Sequence, residues 1–145
     1  MSGLTGARPV EGLERALVEL ATRTIDDHTD DPGDGDGIHT VGAAVLDADG
    51  GMHVGVNLYH FTGGPCAELV ALGAARAAGA RDVRAIVAVG SRGRGVLAPC
   101  GRDRQVLLDY YPACRVVLPA EDGLVSVACT DLLPWAYRSP EGVER

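Results

Sequence analysis

Pro65-Cys66-Ala67-Glu68, answered further along by Pro99-Cys100-Gly101-Arg102-Asp103-Arg104-Gln105, is the pattern from which this chain can be read. Each half begins with a proline, and proline suits the first turn of a helix because its missing N–H has no partner there anyway. Cys66 and Cys100 therefore stand at two helix starts, where the helix dipole favours a thiolate. Positions 100 and 103 are one helical turn apart, so both can reach one ion. Zinc in a catalytic site takes three protein ligands and leaves a fourth position for water. Glu68, two residues past Cys66, suits a general acid/base acting on that water better than a fourth ligand. The pattern reads as a split metal site, with Asp103 where a third cysteine would be expected.

The rest of the chain reads as a frame for these two helix starts. Leu13, Leu17 and Leu20 recur at helical spacing, which predicts an amphipathic helix over 10–23. Residues 26–37 are rich in Asp and Gly and read as a flexible acidic surface loop. A calcium loop would need acids in a fixed register and a closing Glu. Pro32 interrupts the register here and no Glu closes it. Strands are expected over 40–46 and 53–57, joined at Asp47-Ala48-Asp49-Gly50-Gly51, a hairpin turn signal. A buried, nearly uncharged helix follows from Pro65 to about residue 78, then a central strand over 83–89. After a Gly/Arg loop over 90–97 comes a short helix over 101–110, stopped by Pro112. Strands over 115–118 and 124–128, a helical turn over 131–137 and a frayed tail over 138–145 complete the chain. A hairpin followed by strand–helix crossovers gives one α/β domain with a mixed five-stranded sheet between helices.

With 145 residues, 46% of them hydrophobic and a net charge of −7, the composition is that of one soluble globular domain without the basic face of a nucleic-acid binder. A small-molecule substrate is the better expectation. No run approaches the roughly 18 apolar residues of a membrane span, and the first residues lack an apolar leader, so no membrane partner and a cytoplasmic location are expected. Cys114 and Cys129 lie in apolar surroundings and read as small core residues. His28, His39, His53 and His60 are scattered through loops and strand edges and read as structural.

Cys-x-Glu followed by Pro-Cys-x-x-Cys is the zinc-deaminase signature. Cys66-Ala67-Glu68 matches its first half. Pro99, Cys100, Gly101, Arg104 and Gln105 match the second, which departs at Asp103. Gly55-Val56-Asn57, the run from Tyr59 through Val70, and Arg104-Gln105-Val106-Leu107-Leu108-Asp109 resemble the cytidine deaminase family, on its blasticidin S deaminase branch. Asn57-Leu58-Tyr59 stands in place of the Asn-x-Glu motif of ordinary cytidine deaminases. The resemblance implies a three-layer α/β/α sandwich and Zn2+ held at Cys66, Cys100 and position 103. It implies that Glu68 shuttles the proton of zinc-bound water while the backbone at Ala67 and Ala98 holds the base edge. Thr40, Asn57, Arg94 and Tyr137 fall where substrate contacts would lie, and Arg94 also makes sense as a cation on the loop leading into Cys100. Ser139 stands near a position where the resembled branch has tryptophan. A homotetramer, or a homodimer, is implied as the assembly.

The function implied is hydrolytic deamination of a cytosine-type nucleoside or nucleoside antibiotic. The alternatives are a weak or inactive nucleoside-binding or assembly protein on the same fold, or a deaminase of a non-pyrimidine amine. Asp103 leaves three readings open: a carboxylate zinc ligand, harder than thiolate and so a weaker holder of the ion; a salt bridge to Arg102 or Arg104 with the metal lost; or a different metal.

Overall fold

The computed structural model describes residues 6–138. Its elements are β1 (Arg8–Pro9), α1 (Gly12–His28), β2 (Val41–Asp47), β3 (Met52–Val56), α2 (Ala67–Ala77), β4 (Val83–Gly90), β5 (Gly95–Leu97), α3 (Gly101–Tyr110), β6 (Arg115–Ala120) and β7 (Gly123–Ala128), with a 3-10 turn over Cys129–Leu132. The strands form one mixed sheet in the order β1-β7-β6-β4-β2-β3, and β5 pairs with β4 beside β6. β4 and β6 run parallel, joined through α3, and the other pairs are antiparallel.

Alternation along the strands creates the three layers. Ala43 and Val45 of β2 join one buried cluster with Ala67, Ala71, Leu72 and Leu107, while Ala44 and Leu46 join a second with Leu17, Ala21 and Ile25. β4 divides the same way, Ile86 and Ala88 to the first cluster and Ala85, Val87 and Val89 to the second. The first cluster seats α2 and α3; the second seats α1. Such double burial explains why β2 and β4 read as nearly unbroken apolar runs.

Glycine sets how closely the helices approach. A Cβ on Gly55 of β3 would lie 2.4 Å from the Ala71 backbone nitrogen and 2.9 Å from the Ala67 carbonyl oxygen, so α2 rests directly on the strand. That contact fixes the height of the helix that begins beside Cys66.

The sheet has seven strands rather than five. β1 and β5 are too short to carry an alternation signal, and only pairing with β7 and β4 makes them strands. α1 runs to His28, taking in residues read as loop, because nothing breaks a helix before Pro32; it ends where the Thr29 N–H bonds to the Ile25 carbonyl. The last helical turn covers only Cys129–Leu132. Of the expected frayed tail, 139–145 lie outside the described residues. Among the described residues no helix is long and apolar enough to cross a membrane.

Candidate metal centre and pocket

Cys66 and Cys100 are the N-cap residues of α2 and α3, both with extended backbone. An N-cap side chain projects past the helix end rather than along its side. The two sulfurs meet at 3.5 Å. Asp103, on the first turn of α3, adds a carboxylate, and one ligand atom from each of Cys66, Cys100 and Asp103 lies within 4.8 Å of the others. Asp103 is 1% exposed. Its Oδ2 accepts the Cys100 backbone N–H at 3.2 Å, and its buried Oδ1 has no partner. A capping role thus accounts for one oxygen and not the other. Two thiols and a carboxylate converging with an orphaned acceptor fit a divalent cation by the chemistry of the donor set. Arg102 and Arg104 are engaged elsewhere: Arg102 Nη2 donates to the Gly64 carbonyl at 3.1 Å, and Arg104 donates to the carbonyls of Pro99 and Leu132, each at 3.0 Å.

The electrostatics differ from the dipole expectation at Cys66. Burial, the Cys100 thiol and the Asp103 charge push its thiol up to about 11, against a smaller opposing pull from Arg102. Without a cation in place, burial first, and then the neighbouring thiol and carboxylate, disfavour the thiolate more than the helix dipole favours it. Glu68, 6% exposed, is raised to about 7, first by burial and then by the Asp103 carboxylate. A carboxyl poised there can both take and give a proton near neutral pH.

These groups open into a pocket of about 260 Å³ lined by Asn57, Cys66, Ala67, Glu68, Ala98, Cys100 and Asp103 together with apolar side chains that include Val41, Leu58 and Leu97. Its volume lies just under the roughly 300–1,000 Å³ typical of small-molecule sites. Thr40, Arg94 and Tyr137 are not among its lining residues. Thr40 donates its backbone N–H to Asn57 Oδ1 at 2.7 Å, and Val41 does so at 2.9 Å, so Asn57 braces the start of β2. Arg94 spends its guanidinium on the Thr40 carbonyl and on Ser91. Tyr137 is 71% exposed, and its carbonyl accepts from Gln105.

Sequence reasoning raised Arg102 only as a salt-bridge partner for Asp103, whereas its Nη2 donates to the Gly64 carbonyl and approaches the Cys66 sulfur at 3.9 Å. The motif brings the two helix starts together but does not say which long side chain reaches across them. Cys114 and Cys129 are fully buried in the core, as read. His60 bonds to Thr62 and does not line the pocket.

No protein-family model matches the chain. It is 33% identical over 130 residues to the blasticidin-S deaminase of Bacillus cereus, covering 83% of this chain and 89% of that protein. It is 38% identical over 105 residues to a cytidine deaminase of Halalkalibacterium halodurans, covering 70% and 79%. The crystal structure of cytidine deaminase from Burkholderia pseudomallei superposes with a TM-score of 0.67 at 34% identity, covering 85% of this chain and 98% of that one.

Proposed function

The chain belongs to the cytidine deaminase family, and on that premise we propose that it is a zinc-dependent hydrolytic deaminase of a cytosine-type nucleoside or nucleoside antibiotic. The observation that carries the reading is the convergence of Cys66, Cys100 and Asp103 beside the buried Glu68 carboxyl in one pocket. Cys66, Cys100 and Asp103 would hold the ion. When bound, zinc supplies Lewis acidity toward the attacking water. Glu68 takes the proton from that water as its oxygen bonds to the amino-bearing carbon. It delivers that proton to the ring nitrogen, then takes the second proton from the new hydroxyl as the carbonyl forms and passes it to the amine as the C–N bond breaks. Water is consumed, the amino carbon becomes a carbonyl, and ammonia leaves. The backbone of Ala67 and Ala98 would hold the base edge, a reading supported by both residues lining the pocket.

Thr40, Asn57, Arg94 and Tyr137 would meet the remainder of the substrate. Arg94 would have to exchange a present backbone partner for a substrate acceptor. Tyr137 lies outside the pocket of a single chain, which supports a homotetramer or homodimer as the working form. Phe61 (87% exposed) and Trp135 (103% exposed) are further aromatic surface that an assembly would cover. A cytoplasmic location and a free small-molecule substrate complete the reading.

The test is ammonia release from cytidine, deoxycytidine, blasticidin S and other aminated heterocycles, alongside zinc analysis of protein purified without chelator. Release from a cytosine-type compound and near-stoichiometric zinc are expected. Silence across the panel would favour a binding protein on the deaminase fold, and less than about 0.2 zinc per chain would overturn the assigned metal site.

A further inference from the structure

The Gly- and Asp-rich stretch that reads as a bland surface loop is anchored by one buried side chain. Asp31 is 1% exposed. Its Oδ1 accepts the backbone N–H groups of Gly33 and Gly35, at 2.8 and 3.0 Å, and its Oδ2 accepts the Ser91 hydroxyl at 2.9 Å. Arg92 donates from Nε and Nη2 to the Asp31 carbonyl, at 2.9 and 2.7 Å. Arg92 has φ of 57°, a left-handed conformation that persists in a non-glycine residue only where its surroundings hold it. The loop and the turn between β4 and β5 therefore fix each other.

That turn reaches the pocket along two routes. Ser91 donates its backbone N–H to the Thr40 carbonyl at 2.8 Å, and its hydroxyl receives Arg94 Nη2 at 3.2 Å, which bonds the same carbonyl. Thr40 and Val41 in turn hold the Asn57 side-chain oxygen, and Asn57 lines the pocket. Along the chain, the turn opens β5, whose Leu97 lines the pocket with Ala98. One carboxylate thus braces both the Asn57 side and the β5 side of the same opening.

We infer that Asp31 is a positioning residue, acting through Ser91, whose N–H holds the Thr40 carbonyl, to set the two pocket walls at the distance the substrate requires. The inference rests on the pocket being the nucleoside site. Asp31 touches neither substrate nor ion, so its loss should weaken substrate binding while leaving the reacting groups in place.

The test compares Asp31→Asn and Ser91→Ala with Asp34→Asn, whose carboxylate accepts the Asp36 N–H within the same loop. Ser91→Thr, which keeps the hydroxyl, serves as the rescue. KM and kcat for ammonia release, zinc content and amide hydrogen exchange at Thr40 and Val41 are measured on each full chain. Asp31→Asn and Ser91→Ala should raise KM by about tenfold or more, with kcat changed by less than about threefold. Their zinc content should hold, and exchange at Thr40 and Val41 should quicken. Asp34→Asn should resemble the parent in every measurement, and Ser91→Thr, whose extra methyl enters a fully buried site, should lie closer to the parent than Ser91→Ala in KM and in exchange. An unchanged KM with unchanged exchange overturns the inference. So does a joint fall of kcat and zinc content, which would mark general loosening. If the parent deaminates nothing, the functional reading fails on its own account, and the exchange at Thr40 and Val41 alone then decides whether Asp31 holds the wall.

Discussion

Replacing Asp103 by Asn should reverse the order of stability depending on zinc. Asp103 Oδ1 is buried without a hydrogen-bond donor once Glu68 is ionised, and burial, the Asp103 charge and a hydrogen bond between the two carboxyls push Glu68 up to about 7, so the unfolding comparison is made well above that pH. A buried acceptor left unsatisfied costs about 1–3 kcal/mol, and more when charged. Asparagine has the same shape and still offers an oxygen to the Cys100 N–H, so the helix cap survives. Its amide nitrogen replaces the orphaned oxygen with a donor facing sulfur and carboxylate acceptors. With chelator present, Asp103→Asn should therefore be more stable than the parent by about 1–2 kcal/mol, a rise of about 2–8 °C in Tm for a chain of this size. With zinc at about a thousand times its Kd the parent gains about 4 kcal/mol, whereas the variant, lacking an anionic third ligand, should gain little. Thermal unfolding of both proteins with chelator and with zinc gives the four values needed. A variant less stable than the parent in chelator would show that the carboxylate is stabilising without a cation. Equal zinc-induced shifts would show that Asp103 is not a ligand. Either result refutes the reasoning.

Glu68→Gln keeps the shape of the buried side chain but cannot carry a proton; turnover should fall by a factor of about 10²–10⁴ with zinc content unchanged, read from ammonia release and metal analysis. Gly55→Ala should lower the denaturation midpoint and reduce zinc retention together, because the added Cβ meets α2 backbone at 2.4 Å and must lift the helix that follows Cys66; a loss beyond about 1 kcal/mol is expected from overpacking, and a neutral effect on both would mean that β3 and α2 separate freely. Burial alone would raise the Glu14 pKa, but hydrogen bonds from Arg8, the Glu11 N–H and Ser126 outweigh it and hold the carboxyl below its ordinary 4.5. A depressed folded-state pKa stabilises the protein above the unfolded value and loses that contribution as pH falls through the folded one. The gap between parent and Glu14→Gln in urea unfolding should be full at neutral pH and close on acidification below 4.5; a gap that widens there would invert the sign.

What was legible in the sequence depended on local rules. The prolines before Cys66 and Cys100 fix two helix starts, and the spacing from Cys100 to Asp103 puts both side chains on one turn, so the convergence of Cys66, Cys100 and Asp103 could be read without coordinates. The apolar runs of β2 and β4 announced strands buried on both faces. β5 could not be read, because Gly95-Val96-Leu97 acquires its strand identity only from Ala88, Val89 and Gly90 across the sheet. Asp31 was hidden for the same reason: its partner Ser91 lies 60 residues away, and a string of Asp and Gly looks alike whether it is solvated or anchored. The upward push on the Cys66 thiol in the cation-free site was not legible, because it comes first from burial and then from Cys100 and Asp103 on another helix, whereas the dipole is a property of one helix.

The position of Asp103 ties the stability of α3 to the capacity of the site. At the third position after an N-cap, a carboxylate is the residue that best reaches back to the cap's N–H, and Asp103 Oδ2 does so. The same placement leaves its second oxygen buried without a partner in a carboxylate whose ligand atom lies within 4.8 Å of the sulfurs of two N-cap cysteines. A thiol there would be a softer ligand but a weak hydrogen-bond acceptor, so cysteine at 103 would favour holding the ion at the expense of the cap. Aspartate caps with one oxygen and, under the proposed function, would offer the other to the ion. The helix start is then secured before any ion binds, and the donor set keeps the single negative charge that a third thiolate would have supplied. Under the proposed function, this departure from the deaminase signature would change how firmly the ion is retained, while the placement of Glu68 and the pocket walls depends on α2, β3 and the β4–β5 turn.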